Sequence, residues 1–198
     1  MEHPQRLDPA LAVALAWQPR STRPALAALF NIDRRLSVAI AQANEPMLAQ
    51  MRLAWWRDRL AEPAAARPKG EPLLAEIGEH WGERGADLAP LVDGWEQWLL
   101  EESAEGLGEG RGQALAAFAR LAGASHDTPS AMAAGRNWAI AQTGRGKAPV
   151  DQPDRLPKSL RGIAVLDGLA RRAIARGEPM MHGRSGALAA IRLGMFGA

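Results

Sequence analysis

Apolar residues recur along this chain every three to four positions, and almost nowhere every two, so the pattern predicts helices from end to end. The densest case is Glu45–Leu60, EPMLAQMRLAWWRDRL. Leu48, Met51 and Trp55 form one stripe at helical spacing, and Leu53, Trp56 and Leu60 form a second, rotated from the first. A helix apolar on two sides is expected to be sandwiched between neighbours, so this stretch is predicted to be the central packing helix. Pro46 suits its first turn, with Asn44 or Glu45 as the cap.

The punctuation around it sets further helices. Asp8-Pro9 opens one through about Trp17, and Thr22 or Arg23 before Pro24 opens the next, to about Ala43. Ala64–Lys69 reads as a linker. Pro72 to about Arg84 is amphipathic and Gly85 stops it; Asp87 caps a long helix to about Glu105. The glycines of GLGEGRG, 106–112, predict a turn before a helix over Gln113–Ala122. Thr128-Pro129 opens a helix to about Thr143, and residues 144–157, rich in Gly, Pro and Asp, form the longest loop. Helices over about Ser159–Arg176 and Ser185–Phe196 close the chain. Runs of alternating β-branched residues are missing, so the expected fold is all-α: a single bundle of about eight or nine helices over residues 1–198.

Composition narrows the chemistry. The 198 residues are 47% hydrophobic, enough for a core and too apolar for general disorder. Without cysteine there is no disulfide, thiol nucleophile or cysteine metal site. The first residues, MEHPQRLDPALAVALAW, are too polar for a signal peptide, and no stretch approaches a membrane span of about 20 apolar residues. A cytoplasmic protein is expected, with peripheral contact to an inner membrane allowed. Charge is uneven: residues 1–135 hold 13 Lys/Arg against 18 Asp/Glu, whereas residues 136–198 hold 11 against 4. That basic third could meet anionic lipid, diphosphate or nucleic acid, or could be a solvated face paired with the acidic half. No nucleic-acid-binding motif accompanies it.

Several stretches taken together resemble a known family. FNIDRRLSVAIAQANEPMLAQMRLAWWRDRL, 30–60, is similar to the second and third helices of the squalene/phytoene synthase family. It resembles most the divergent branch that includes a mitochondrial assembly factor for respiratory complex I. EPLLAEIGEHWGERGADLAPLVDGWEQWLLEE, RNWAIAQTG and RLPKSLRGIAVLDGLARRAIARGEP extend the likeness more weakly along the chain, with a shortening after about residue 110. The resemblance implies an isoprenoid-synthase-like helical fold. In the family's enzymes, which join two prenyl diphosphates head to head, two Asp-x-x-x-Asp motifs hold Mg²⁺. An i, i+4 pair puts two carboxylates on one helix face, and hard Mg²⁺ takes oxygen ligands that help expel diphosphate.

This chain departs from that pattern. The first motif's aspartates would fall at about Arg35 and Ala39; Asp33 stands nearby, but its i+4 neighbour is Ser37. After RNWAIAQTG no carboxylate follows until Asp151, and Asp93 has Gln97 at i+4. Carboxylate pairs at i, i+4, among them Asp58/Glu62, Glu79/Glu83 and Glu101/Glu105, read mainly as solvated helix faces. Asp58, Asp93 and Asp33 are thus the metal candidates. Trp55 and Trp56, with Arg52 and Arg57, are the candidate lining of a pocket for a lipophilic or prenyl tail, against the alternative that the tryptophans fill a core.

His3, His80, His126 and His182 lack ligand spacing. Gly106–Gly112 misses the G-x-G-x-x-G register at Arg111, and Gly146-Lys147 lacks the rest of a P-loop. The expectation is a catalytically degenerate binding or assembly-type protein, with a protein partner and no required cofactor. The alternative is an active, Mg²⁺-dependent prenyl-diphosphate transferase.

Overall fold

The computed structural model describes residues 7–68, 70–146 and 155–196, and these are helical throughout, without strands. Nine α-helices appear among them: α1 (Pro9–Trp17), α2 (Arg23–Ala41), α3 (Pro46–Ala61), α4 (Pro72–Trp81), α5 (Ala89–Glu101), α6 (Ala104–Leu121), α7 (Thr128–Thr143), α8 (Arg161–Arg176) and α9 (Gly183–Phe196). The expected all-α bundle is thus the observed one. His3, Lys69, Lys147 and Asp151 lie outside the described residues, as does the middle of the 144–157 loop.

Proline and capping chemistry start most helices. Asp8 caps α1 by accepting from the Ala10 amide at 2.7 Å, and Pro9 fills the first turn. Ser103 caps α6 through the Gly106 amide at 3.0 Å. α4 is shorter than its apolar pattern, because Gly82 at φ +56° turns the chain into a 3₁₀ segment over Gly82–Leu88.

The largest correction concerns 106–112. These residues are not a turn; they are the first two turns of α6. Glycine costs a helix interior roughly 1 kcal/mol relative to alanine, and four of them argue locally against a helix. Tertiary packing overrides that cost. Gly106 and Gly110, four apart, make one ridge against α5, where a Cβ on Gly110 would run into the Pro90 carbonyl and lie 3.0 Å from the Gly94 Cα. Gly108 and Gly112, four apart on the opposite side, make a second ridge against α7. There a Cβ on Gly112 would lie 2.9 Å from the Met132 carbonyl, and one on Gly108 3.1 Å from the Arg136 Cα. The absence of side chains on two faces lets α5 and α7 approach the α6 backbone closely. α6 is therefore the axis of the bundle.

That position belongs to α6 and not to α3. The Leu53, Trp56 and Leu60 stripe of α3 is buried in the core, but the other apolar stripe is not covered. Met47, Met51 and Trp55 are 68%, 64% and 40% exposed, and Leu48 is exposed beside them. The expected sandwiched helix lies on the surface, with one of its two apolar faces in water.

Candidate functional site

The core-facing arc of α6 is formed by Leu107, Ala114, Leu115 and Phe118, and Arg111 falls in the middle of it. On α2 the corresponding arc is Leu26, Leu29, Phe30 and Leu36, and it contains Asp33. Helix geometry thus drives two opposite charges into the same interior. They meet as a bidentate pair. Arg111 Nε donates to Asp33 Oδ1 at 2.9 Å and its Nη2 donates to Asp33 Oδ2 at 2.8 Å. Trp95 on α5 adds a third bond, its indole N–H to Asp33 Oδ1 at 3.0 Å. The guanidinium carbon lies 3.9 Å from the Trp138 ring centroid and 5.3 Å from that of Trp95, so both indoles present a face to the cation. Phe30 meets Trp138 edge-on at 5.5 Å. The side chain of Arg111 has no exposure and that of Asp33 is 5% exposed.

Of the candidate metal ligands, Asp33 is therefore occupied by three N–H donors. Asp93 lies on the surface of α5 and pairs with Arg57, whose Nη2 reaches Asp93 Oδ1 at 2.8 Å and Glu96 Oε2 at 2.7 Å. The structure thus joins two of the sequence candidates, Arg57 and Asp93, in one ion-pair network. Asp58 is exposed on α3, and its i+4 neighbour Glu62 pairs with Arg59 at 2.8 Å. Among the described residues no three His, Asp or Glu side chains gather in metal-binding range.

The candidate pocket residues diverge. Trp56 is a core residue, and Trp55 crosses it edge-on at 5.0 Å from the solvent side. Arg52 donates to the Ala39 carbonyl at 3.1 Å, near the C-terminal end of α2, where a cation complements the helix dipole. A groove of about 750 Å³ lies at the α5–α6–α7 junction, lined by Gln97, Ser103, Glu105, Glu109, Arg136 and Ile140 among others, with no residue from α3.

Sequence reasoning missed Arg111, Trp95 and Trp138 as a unit. Once GLGEGRG is taken as helix, the signal is an arginine in register with Leu107, Leu115 and Phe118, matched by an aspartate in register with Leu29 and Leu36.

A second buried polar contact joins α7 to α8. Asn137 Nδ2 donates to Asp167 Oδ1 at 2.8 Å, and Arg171 stands 3.8 Å from the other oxygen. Burial pushes the Asp167 carboxyl above the usual range, against the opposing pull of Asn137 and Arg171. The folded protein then keeps this proton to higher pH than the unfolded chain. Its contribution to stability must fall as pH rises from the ordinary carboxyl range, about 3.9, through the raised folded value. The Asp167→Asn variant should gain stability relative to wild type across that window and hold the gain above it. Melting curves of the two proteins from acid to neutral pH measure that difference directly.

No protein-family model matches the chain, and neither does any curated protein or solved structure.

Proposed function

We propose that this is a non-catalytic binding or assembly-type protein, on a helical framework of the squalene/phytoene synthase kind. The observation that carries the reading is the saturation of Asp33. Metal-assisted departure of diphosphate needs carboxylate oxygens free to meet a hard cation. Here both Asp33 oxygens already accept from a guanidinium and an indole in the dry interior. The cation at this carboxylate is Arg111. Asp93 is likewise engaged, by Arg57.

The uncovered face of α3 supplies what a binding role needs. Met47, Leu48, Met51 and Trp55 form a contiguous apolar strip over more than two turns, edged by Arg52 and Asp58. Methionine is flexible and polarisable and suits a contact surface that adapts to its partner. The occupant proposed is an amphipathic helix of a partner protein, laid along α3 with its own apolar stripe inward.

Two measurements test the reading together. Purified protein incubated with farnesyl or geranylgeranyl diphosphate and Mg²⁺ should release no diphosphate above the buffer rate; turnover that disappears in Asp93→Ala would overturn the proposal. The Met51→Glu variant should keep the wild-type melting temperature, since the side chain is exposed, and should lose a stoichiometric partner that wild-type protein retains on purification from its own cells. Equal partner occupancy in both proteins would remove α3 as the contact face.

A further inference from the structure

α9 inverts the usual arrangement of a surface helix. Its inner face is built mainly from small residues. Gly186, Ala190 and Gly194 are buried with Leu193, the Gly194 backbone lies against the Trp17 indole, and Leu193 fills the space above Gly168. Its outer face carries the larger apolar side chains: Leu188, Ile191 and Met195 are 67%, 48% and 54% exposed. Positions 188, 191 and 195 follow helical spacing, so these side chains share one line along the helix. An amphipathic surface helix normally places such a line inward. The strip covers seven residue steps, about 10 Å of helix.

The charge around the strip is one-sided. Residues 155–196 contain eight Lys/Arg and two Asp/Glu. Asp167 is buried against Asn137, and Glu178 stands 3.7 Å from Arg172. Neither leaves a free anion beside the strip. Arg192 is exposed and, four residues after Leu188, flanks the strip directly; Arg176 is exposed at the end of α8, and Arg172 bonds Ser185 at the start of α9 at 2.8 Å. The rest of the described chain is acidic on balance, so the cations concentrate on the C-terminal segment that ends in α9, most of them on and before α8.

We infer that α9 docks on an anionic lipid surface. Leu188, Ile191 and Met195 enter the headgroup–acyl boundary, while Arg192 and Arg176 meet lipid phosphates. Charge favours a bilayer over a protein partner at this face, and an interfacial helix needs only shallow insertion of one apolar line. Cations without intervening anions suit a uniformly negative surface, where each adds to the attraction. α9 is neither long nor apolar enough to cross a membrane, so the contact lies in the plane of the surface.

Flotation of the whole chain with vesicles tests this. The protein should float with vesicles of phosphatidylcholine mixed with phosphatidylglycerol, should bind much less to phosphatidylcholine alone, and should be released by salt. The Leu188→Ser/Ile191→Ser/Met195→Ser variant should keep its far-UV spectrum and lose at least about tenfold in vesicle affinity. If that variant does not fold, Arg176→Glu/Arg192→Glu serves instead and should abolish the preference for phosphatidylglycerol. Met51→Glu on α3 should bind vesicles as wild type does, which separates this face from the one proposed for a protein partner. The inference is overturned if wild-type protein ignores both vesicle types, or if the α9 variants bind as well as wild type. A salt-sensitive shift of nucleic acid without vesicle binding would also overturn it, assigning the basic face to a different polyanion.

Discussion

Arg111→Met is expected to destabilise the fold by about 3–5 kcal/mol, the cost of leaving one member of a buried ion pair without its partner. Asp33 would keep the Trp95 N–H and lose both guanidinium bonds in an environment with almost no access to water. The indole faces of Trp95 and Trp138 would lose their cation as well. The informative companion is Asp33→Leu/Arg111→Met. Removing both charges together spares the desolvation cost of each, so the double variant should recover most of the loss and could equal wild type in stability. Chemical denaturation of the four proteins of this cycle gives the coupling energy. A coupling near zero would mean that the pair is screened by water and that the interior around α6 is wet.

Gly135→Ala should also destabilise the fold, by less and by a different route. A Cβ there would land on the Gly112 amide nitrogen and lie 2.5 Å from the Gly112 Cα and 2.6 Å from the Arg111 carbonyl carbon. All three are backbone atoms, so relief requires α6 and α7 to separate. Overpacking of this kind costs about 1–3 kcal/mol, and a clash with backbone belongs at the upper end. Working against it is the better helix propensity of alanine, worth about 1 kcal/mol. Gly78→Ala isolates that opposing term: Gly78 is helical, in α4, and its nearest neighbour is the Ala64 Cβ at 3.9 Å. The α4 variant should therefore melt above wild type and the α7 variant well below it. Thermal unfolding followed by far-UV ellipticity distinguishes the two signs.

Local signals carried much of this architecture. Asp8-Pro9 and Thr128-Pro129 announce α1 and α7 because their chemistry acts within one turn. The α6 glycines could not be read that way, since what makes them helical is the backbone of α5 and α7, remote information for a pattern along one strand of chain. Arg111 was hidden by the same error. α3 failed differently: its two apolar stripes were legible, but periodicity shows which residues share a face and not whether a neighbour arrives to cover it. Trp55 and Trp56, adjacent in sequence, accordingly have opposite fates, one at the surface and one in the core.

The pair that fills the centre of the bundle also orders the way the chain must assemble. Asp33 and Arg111 are 78 residues apart, whereas α5, α6 and α7 are neighbours in sequence and their close backbone approach can form first. α2 then has to deliver its carboxylate to a guanidinium already shedding water between two indoles. A register error of one residue would bring Ile32 or Arg34 to that guanidinium instead, either leaving it without an anion or facing it with a second cation. The ion pair thus acts as a checkpoint on α2 docking. Folding rates should show substitutions at Gly112 or Gly135 slowing refolding, while substitutions at Asp33 chiefly speed unfolding.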